Sequence, residues 1–310
     1  MKQNKLVSFH VDVDSPLILS RFYGFKSISY DLQMLERFYE KTFERAFQLF
    51  DTYGIRATFF CVGEEIAKSK ILAALLKKAC DKGHAIANHT YTHPFGINTL
   101  SAAEIRTEIV KCNEAILNAT SVNPIGFRAP GYAIDTKVIN ILEECGIRYD
   151  SSAGWPVFHL LFKSVKFIQS FTANPKMAVG YGETNSYFRN SPYAPDRINW
   201  KLKSREKRTI SEIPLPTSFQ VFPYYANFHL SLPESAGSVL INNSSNPFLV
   251  YLFHIIEFSS SQSECLPREI FRHPHIHVPV EKKITRFSGT IETLLKNREQ
   301  LQTEQFILNE

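Results

Sequence analysis

The sequence predicts an α/β fold built on a mostly parallel sheet. Short apolar, β-branched stretches alternate with helical periods from Leu6 to Asp150. The connections between them are short, and such alternation means βαβ units. Polar residues also gather where strands should end. Asp14, His89, Arg128 and Asp150 each follow or close an apolar stretch, as functional residues do on the C-terminal face of a barrel. From these residues alone, a barrel and an open doubly wound sheet both remain open.

The elements follow in order. Leu6 and Val7 lead into Phe9-His10-Val11-Asp12-Val13-Asp14, a first strand that Pro16 should stop. Ser29 to Tyr53 places Leu32, Leu35, Phe38, Phe43, Phe47 and Phe50 at helical spacing, with Gly54 as C-cap. Ala57 to Gly63 reads as a buried second strand and Glu64 to Lys82 as one amphipathic helix. Ala85 to His89 is a third strand. Ser101 to Ala119 is a helix opened by a capping box, Ser101 with Glu104. Ile125 to Pro130 is a fourth strand, Asp135 to Cys145 a helix, and Ile147 to Asp150 begins a fifth strand. After Trp155 the rhythm breaks, and about 156–209 reads as an irregular insertion or cap within a single catalytic domain over 1–310. Regular structure returns at Thr209 to Pro214, Phe248 to His254 is a buried strand, and Thr285 to Gln302 a closing helix.

Composition narrows the function classes. Hydrophobic residues at 44% and charged residues at 21% are ordinary for a globular chain. A net charge of +5 is too mild to argue for nucleic acid. Five scattered cysteines, an odd number without a C-x-x-C pair, favour a reducing compartment. No apolar leader precedes the first strand and no stretch approaches the ~18 apolar residues of a membrane span. The expectation is a cytoplasmic protein.

Chemistry centres on two anchors. Asp12 and Asp14 lie two apart on a strand and so share a face, where ionising both is costly unless a cation binds. His89 and His93, four apart in His89-Thr-Tyr-Thr-His93, can converge on one metal. Two histidines and a carboxylate make an open three-ligand site suited to Zn²⁺, or to Co²⁺, Ni²⁺ or Fe²⁺.

Five motifs in order resemble the polysaccharide deacetylase (NodB-homology) family in its D-x-D branch. They are Asp12-Val-Asp14, His89-Thr-Tyr-Thr-His93, Arg128-Ala-Pro-Gly131-Tyr132, Asp150-Ser-Ser with Trp155, and Leu252-Phe-His254. The resemblance implies a distorted, seven-stranded (β/α) barrel. It implies that Asp14, His89 and His93 hold the metal, that Asp12 is the general base, and that Arg128 pairs with Asp12. It further implies that backbone near Tyr132 polarises the scissile carbonyl, that His254 is the general acid, that Trp155 walls the acyl pocket, and that Asp150 supports His254 or the rim. The chain departs from the commoner adjacent-aspartate pattern, and His254-Ile-Ile-Glu257 lacks the branch's Pro and Trp.

The resulting expectation is a metal-dependent hydrolase releasing acetyl or formyl from an amino sugar. A cytoplasmic intermediate of surface-polysaccharide synthesis, lipid- or nucleotide-linked, is the expected substrate. A cyclic-amide hydrolase of the allantoinase kind and a non-catalytic carbohydrate-binding relative are the alternatives. The basic run Lys201 to Arg208 reads first as a solvated helix or loop, and second as a contact for an anionic substrate or a membrane surface. His273, His275 and His277 read as a surface loop in preference to a second metal site. Glu257 reads equally as a partner of His254 or a solvated strand end, and Tyr224, Tyr225 and Phe228 as buried aromatics or a sugar platform. His10 is assigned to packing on the side of the strand away from the aspartates, and Gly180-Tyr-Gly182 is set aside as a nucleotide loop.

Overall fold

The computed structural model describes residues 5–22, 31–154, 189–215, 217–218, 222–262 and 266–309. Its centre is β1 (Leu6–Val13), buried at every residue but the first. Along one edge β1 pairs in parallel with β9 (Phe248–His254), from Leu6 against Phe248 to Asp12 against His254. Along the other it pairs with β2 (Thr58–Cys61), and further parallel neighbours follow: β3 (Ala85–Asn88), β4 (Gly126–Phe127), β5 (Tyr149–Asp150) and β6 (Ser211–Glu212). Seven parallel strands thus run β9-β1-β2-β3-β4-β5-β6. Between β6 and β9 lie a separate antiparallel pair, β7 (Thr217–Ser218) and β8 (Phe222–Pro223), and two short helices, α7 (Ala226–Leu230) and α8 (Glu234–Asn242). A short β10 (Glu299–Gln300) pairs with Leu6 and Val7 below the start of β2.

The sheet curls. Phe60, Tyr149, Ile213, Leu215, Val250 and Leu252, drawn from β2, β5, β9 and the residues after β6, form one buried cluster. Side chains from strands that are not neighbours in the sheet can meet only if the sheet closes around them. Side chains alternate across a strand, so odd-numbered Val7, Phe9, Val11 and Val13 pack outward against the helices. Even-numbered Ser8, His10, Asp12 and Asp14 face inward. Gly126 shows how full the interior is: a Cβ there would lie 2.2 Å from the Tyr149 ring.

The helices differ from the sequence expectation in several places. Pro16 ends the strand but also starts α1 (Pro16–Phe22), where its missing N–H costs nothing at the first helical position. The helix expected over 64–82 is two, α3 (Gly63–Lys68) and α4 (Lys70–Asp81), because extended Ser69 interrupts it and caps Leu72 N–H. The closing helix lies earlier, as α9 (Val280–Asn297). The chain after it forms β10 and a further helix, α10 (Thr303–Leu308). Among the remaining long helices, α5 (Ala102–Thr120) keeps its expected capping box at Ser101, while α2 (Leu32–Thr52) starts later than expected, capped by Asp31, and α6 (Thr136–Glu144) is capped by Asp135. Among the described residues no helix is long and apolar enough to cross a membrane. The segment 155–188, with Trp155 and most of the expected insertion, lies outside the described residues.

Candidate metal and acid–base site

The C-terminal ends of β1, β3, β4 and β9 meet at one mouth. Asp14 follows β1 and precedes α1, where Ser15 caps Ile18 N–H. Its Oδ1 lies 3.4 Å from Nε2 of His89 and 3.4 Å from Nε2 of His93. All three residues are buried, and among the described residues they form the one cluster able to hold a metal ion.

The donor set fits a divalent metal. Asp14 Oδ1 and both ring nitrogens of His93 are buried without a hydrogen-bond partner, which is costly unless something else binds them. Donors about 3.4 Å apart match the edge of a shell with ~2.0–2.1 Å bonds. Nδ1 of His89 lies 2.7 Å from the Arg128 carbonyl, so it carries the proton and leaves Nε2 as the donor atom. Burial works against the Asp14 charge, yet His93 and His89 outweigh it and hold the carboxyl well below its usual range. Burial also lowers His93, whereas Asp14 reverses that effect at His89.

The histidine loop is strained and clamped. Thr90 and His93 adopt left-handed backbone, with φ of 66° and 57°, which costs non-glycine residues free energy. Glu108 on α5 holds the loop: Oε2 accepts from Tyr91 and Thr92 N–H at 2.9 and 2.8 Å, and Oε1 from the Thr92 hydroxyl at 2.8 Å. Asn88 Oδ1 accepts from Thr90 N–H at 2.7 Å.

Asp12 sits one pleat below Asp14 and is kept off the cluster by Arg128. Arg128 Nη1 donates to Asp12 Oδ1 at 2.5 Å. That leaves Oδ2, which lies 3.7 Å from Nε2 of His254. Asp12 and Arg128 are almost wholly buried, while the His254 side chain keeps 16% exposure and forms the open side. Tyr225 packs on His254 at 5.1 Å between ring centroids, and Phe95 on His93 at 5.0 Å. These aromatics wall the mouth.

One expectation is corrected, and the surroundings of three further candidates become clear. His10 is not on the far side of the strand. Two residues before Asp12, it shares the inward face, and its Nδ1 lies 2.7 Å from Arg128 Nη2. Asp150 has no hydrogen bond to His254 among the described residues, which leaves the rim of the two implied roles. The pleat turns it to the outer face, where it accepts from Ser152 and lies beside Glu212. Burial raises both of these carboxyls, and the Asp150 charge raises Glu212 further. The Tyr132 amide is committed to the Ala129 carbonyl at 2.9 Å, because left-handed Gly131 and Tyr132 close a 3₁₀ turn. The Tyr132 ring packs at the barrel interior. Glu257 is no solvated strand end: it is buried, and its Oε2 accepts from His254 N–H at 3.2 Å.

The remaining candidates disperse. His275 meets Ser231 at 2.8 Å, His277 meets Ser261 at 3.1 Å, and buried His273 joins neither. Burial, followed by the field of His254, lowers His273 to about 3. In the basic run, Arg208 is buried against Glu143 at 2.9 Å, whereas Lys203, Arg205 and Lys207 are exposed. Tyr224 is buried, with its hydroxyl on the Leu240 carbonyl. Sequence reasoning missed Glu108 and Thr303, which carry no local signal; it quoted Ser151 within the fourth motif without giving it a role, and it misplaced His10, which the strand period alone would have found.

Residues 27–149 match the family model for polysaccharide deacetylase. The peptidoglycan deacetylase of Helicobacter pylori is 27% identical over 152 residues, 49% of this chain and 50% of that protein. A peptidoglycan-N-acetylglucosamine deacetylase of Bacillus cereus is 32% identical over 78 residues, 25% of this chain and 27% of that one. The chain spans about half or less of the length of the curated relatives it matches. A solved structure assigned to the polysaccharide deacetylases, from Mycobacterium smegmatis, superposes with a TM-score of 0.62 at 14% identity, covering 100% of this chain and 91% of that one. A CE4 family pseudoenzyme from Bacillus anthracis follows at 0.50 and 13%, covering 98% and 66%. These structures share the distorted seven-stranded (β/α) barrel.

Two outcomes follow from the local chemistry. Glu108→Ala should weaken divalent-metal binding about 10–100-fold, measured by titration calorimetry; an unchanged affinity would show that Glu108 does not hold the loop. Burial raises the Glu257 carboxyl from 4.5 to about 8. Its folded state therefore holds the proton more tightly, a contribution that is full below about pH 4.5 and lost as pH rises to about 8. Wild-type thermal stability should fall across that window, and Glu257→Gln should flatten the fall in matched melts.

Proposed function

We propose that this chain, which belongs to the polysaccharide deacetylase family, is a metal-dependent hydrolase that removes acetyl or formyl from an amino sugar. The observation that carries this reading is the pairing of two inward carboxylates with different surroundings. Asp14 faces two imidazoles, while Asp12 is held away from them by Arg128. Amide hydrolysis needs that division: one carboxylate for a metal and one to take a proton. The Bacillus anthracis neighbour is a pseudoenzyme, so the fold alone does not carry activity.

In this reading Asp14, His89 and His93 hold the metal, with zinc first and cobalt, nickel or iron as alternatives. When bound, the metal supplies Lewis acidity to the amide carbonyl and lowers the pKa of water from ~16 toward ~7. Asp12 accepts the proton of the attacking water at Oδ2, since Arg128 occupies Oδ1. A carbon–oxygen bond forms and the carbon–nitrogen bond breaks. His254, at the open side, gives a proton from Nε2 to the departing amine. Phe95, Tyr132 and Tyr225 exclude water around the reacting carbon.

The substrate we infer is anionic and lipid-linked. Within the expected insertion, the hairpin in which Pro195 pairs with Lys203 is tied to the first turn of α6, where Ile198 O and Trp200 N–H each lie 3.3 Å from Thr136 Oγ1. That turn follows Arg128 and Tyr132, so the hairpin stands beside the mouth. Its tip exposes Ile198 at 89% and Leu202 at 54%, with Arg197, Lys203, Arg205 and Lys207 exposed around them. Exposed aliphatics within a cationic patch suit an anionic lipid surface and do not suit a small neutral ureide. Free Cys61, Cys80, Cys112 and Cys145 support a reducing, cytoplasmic setting.

The test is metal content together with acetate and formate release from N-acylated sugars. One divalent ion per chain is expected, with release lost in Asp14→Ala and reduced about 10²–10⁴-fold in Asp12→Asn and His254→Gln. Release that survives in Asp14→Ala would overturn the mechanism, and ureide opening without acyl release would select the cyclic-amide reading. For the surface, wild type should co-sediment with phosphatidylglycerol vesicles and not with phosphatidylcholine ones. Ile198→Ser with Leu202→Ser and Lys203→Glu should abolish that binding; equal sedimentation with both lipids would refute it.

A further inference from the structure

The barrel interior holds a continuous hydrogen-bonded column below the candidate base. Arg128 reaches Asp12 Oδ1 at 2.5 Å and His10 Nδ1 at 2.7 Å. It also donates to the Ser151 carbonyl at 2.8 Å and the Ser151 hydroxyl at 3.0 Å. His10 Nε2 lies 2.8 Å from Thr303 Oγ1, and the Thr303 hydroxyl lies 3.0 Å from Ser8 Oγ. Every member is buried. The ring of Phe60 closes one side, 4.1 Å from the guanidinium and 5.0 Å from His10.

The directions along this column are forced. A guanidinium only donates, so His10 Nδ1 must accept. A neutral imidazole then carries its proton on Nε2, and the acceptor available to it is Thr303 Oγ1. Burial, followed by the Arg128 charge, keeps His10 neutral. The other tautomer would set an N–H against the guanidinium. Thr303 therefore supports the one tautomer of His10 that Arg128 can use. Its helix is pinned beneath the barrel by the next residue: Glu304 accepts from the Thr58 hydroxyl at 2.7 Å and the Tyr149 hydroxyl at 2.5 Å.

We propose that Thr303 and His10 are positioning residues, through which α10 fixes the plane of Arg128 and hence the orientation of Asp12. Neither touches the reacting atoms, and both lie on the opposite side of Arg128 from the mouth. The kinetic consequence rests on the hydrolase reading above; the tautomer and the coupling do not.

A double-mutant cycle with two readouts tests it. Thr303→Val and His10→Phe should each lower kcat about 10–10²-fold while leaving KM and bound metal unchanged, and Thr303→Ser should restore wild-type turnover. The double variant should be no worse than His10→Phe alone, the signature of coupled sites. Independently of turnover, ¹⁵N spectra should show wild-type and Thr303→Ser His10 protonated at Nε2 only, with the His10 and Arg128 resonances displaced in Thr303→Val. If Thr303→Val does not fold, Thr303→Ser against Thr303→Cys supplies the comparison. Additive kinetic losses, or His10 and Arg128 spectra indifferent to Thr303→Val, would overturn the proposal. A wild type that releases no acyl group but shows the tautomer and the coupled displacement would sink only the hydrolase reading.

Discussion

The buried ion pair between Arg128 and Asp12 is the interaction on which the rest of this architecture depends. Both groups are almost fully removed from water, and burying two charges repays its cost only with close geometry and further hydrogen bonds. Arg128 has them: a carboxylate, an imidazole nitrogen, a carbonyl and a hydroxyl, all within 3.0 Å. Loss of one partner from such a pair costs about 3–5 kcal/mol. The fold thus cannot discard the second carboxylate, and that carboxylate cannot drift onto the cluster formed by its neighbour on the strand.

The strand period sets the arrangement. Ser8, His10, Asp12 and Asp14 share one face of β1, and each has a different task because each lies at a different depth. The deepest meets α10, the next meets Arg128, the third is the candidate base, and the last faces the histidines. Apolar residues on the opposite face hold the helices. A single strand therefore carries both the hydrophobic anchoring of the barrel and its polar axis.

Much of this was legible in the sequence, and the failures have physical causes. β9 was read to its residue limits because a buried parallel strand is a continuous apolar run. The capping box at Ser101 and Glu104 marked α5 for a similar local reason. His10 was misjudged although the two-residue period already placed it beside Asp12. The face of Asp150 was not legible, because β5 is too short for its parity to be visible before Tyr149 is seen to fill the interior. Glu108 and Thr303 had no signal, since their meaning lies in a loop 16 residues away and a strand 293 residues away. Ser69 is a helix former by period and a breaker only by its cap.

The pairing of β1 also has a consequence for how the protein is made. Its full-length neighbour begins at Phe248, and the hydroxyl that completes the His10 hydrogen bond belongs to Thr303. A nascent chain holding only the first two hundred residues would present an inner face of Ser8, His10, Asp12 and Asp14 with one edge of the strand bare. Contacts of such sequence separation are slow to form, and unpaired strand edges invite association with other chains. β1 therefore leaves the ribosome well before the partners that satisfy it.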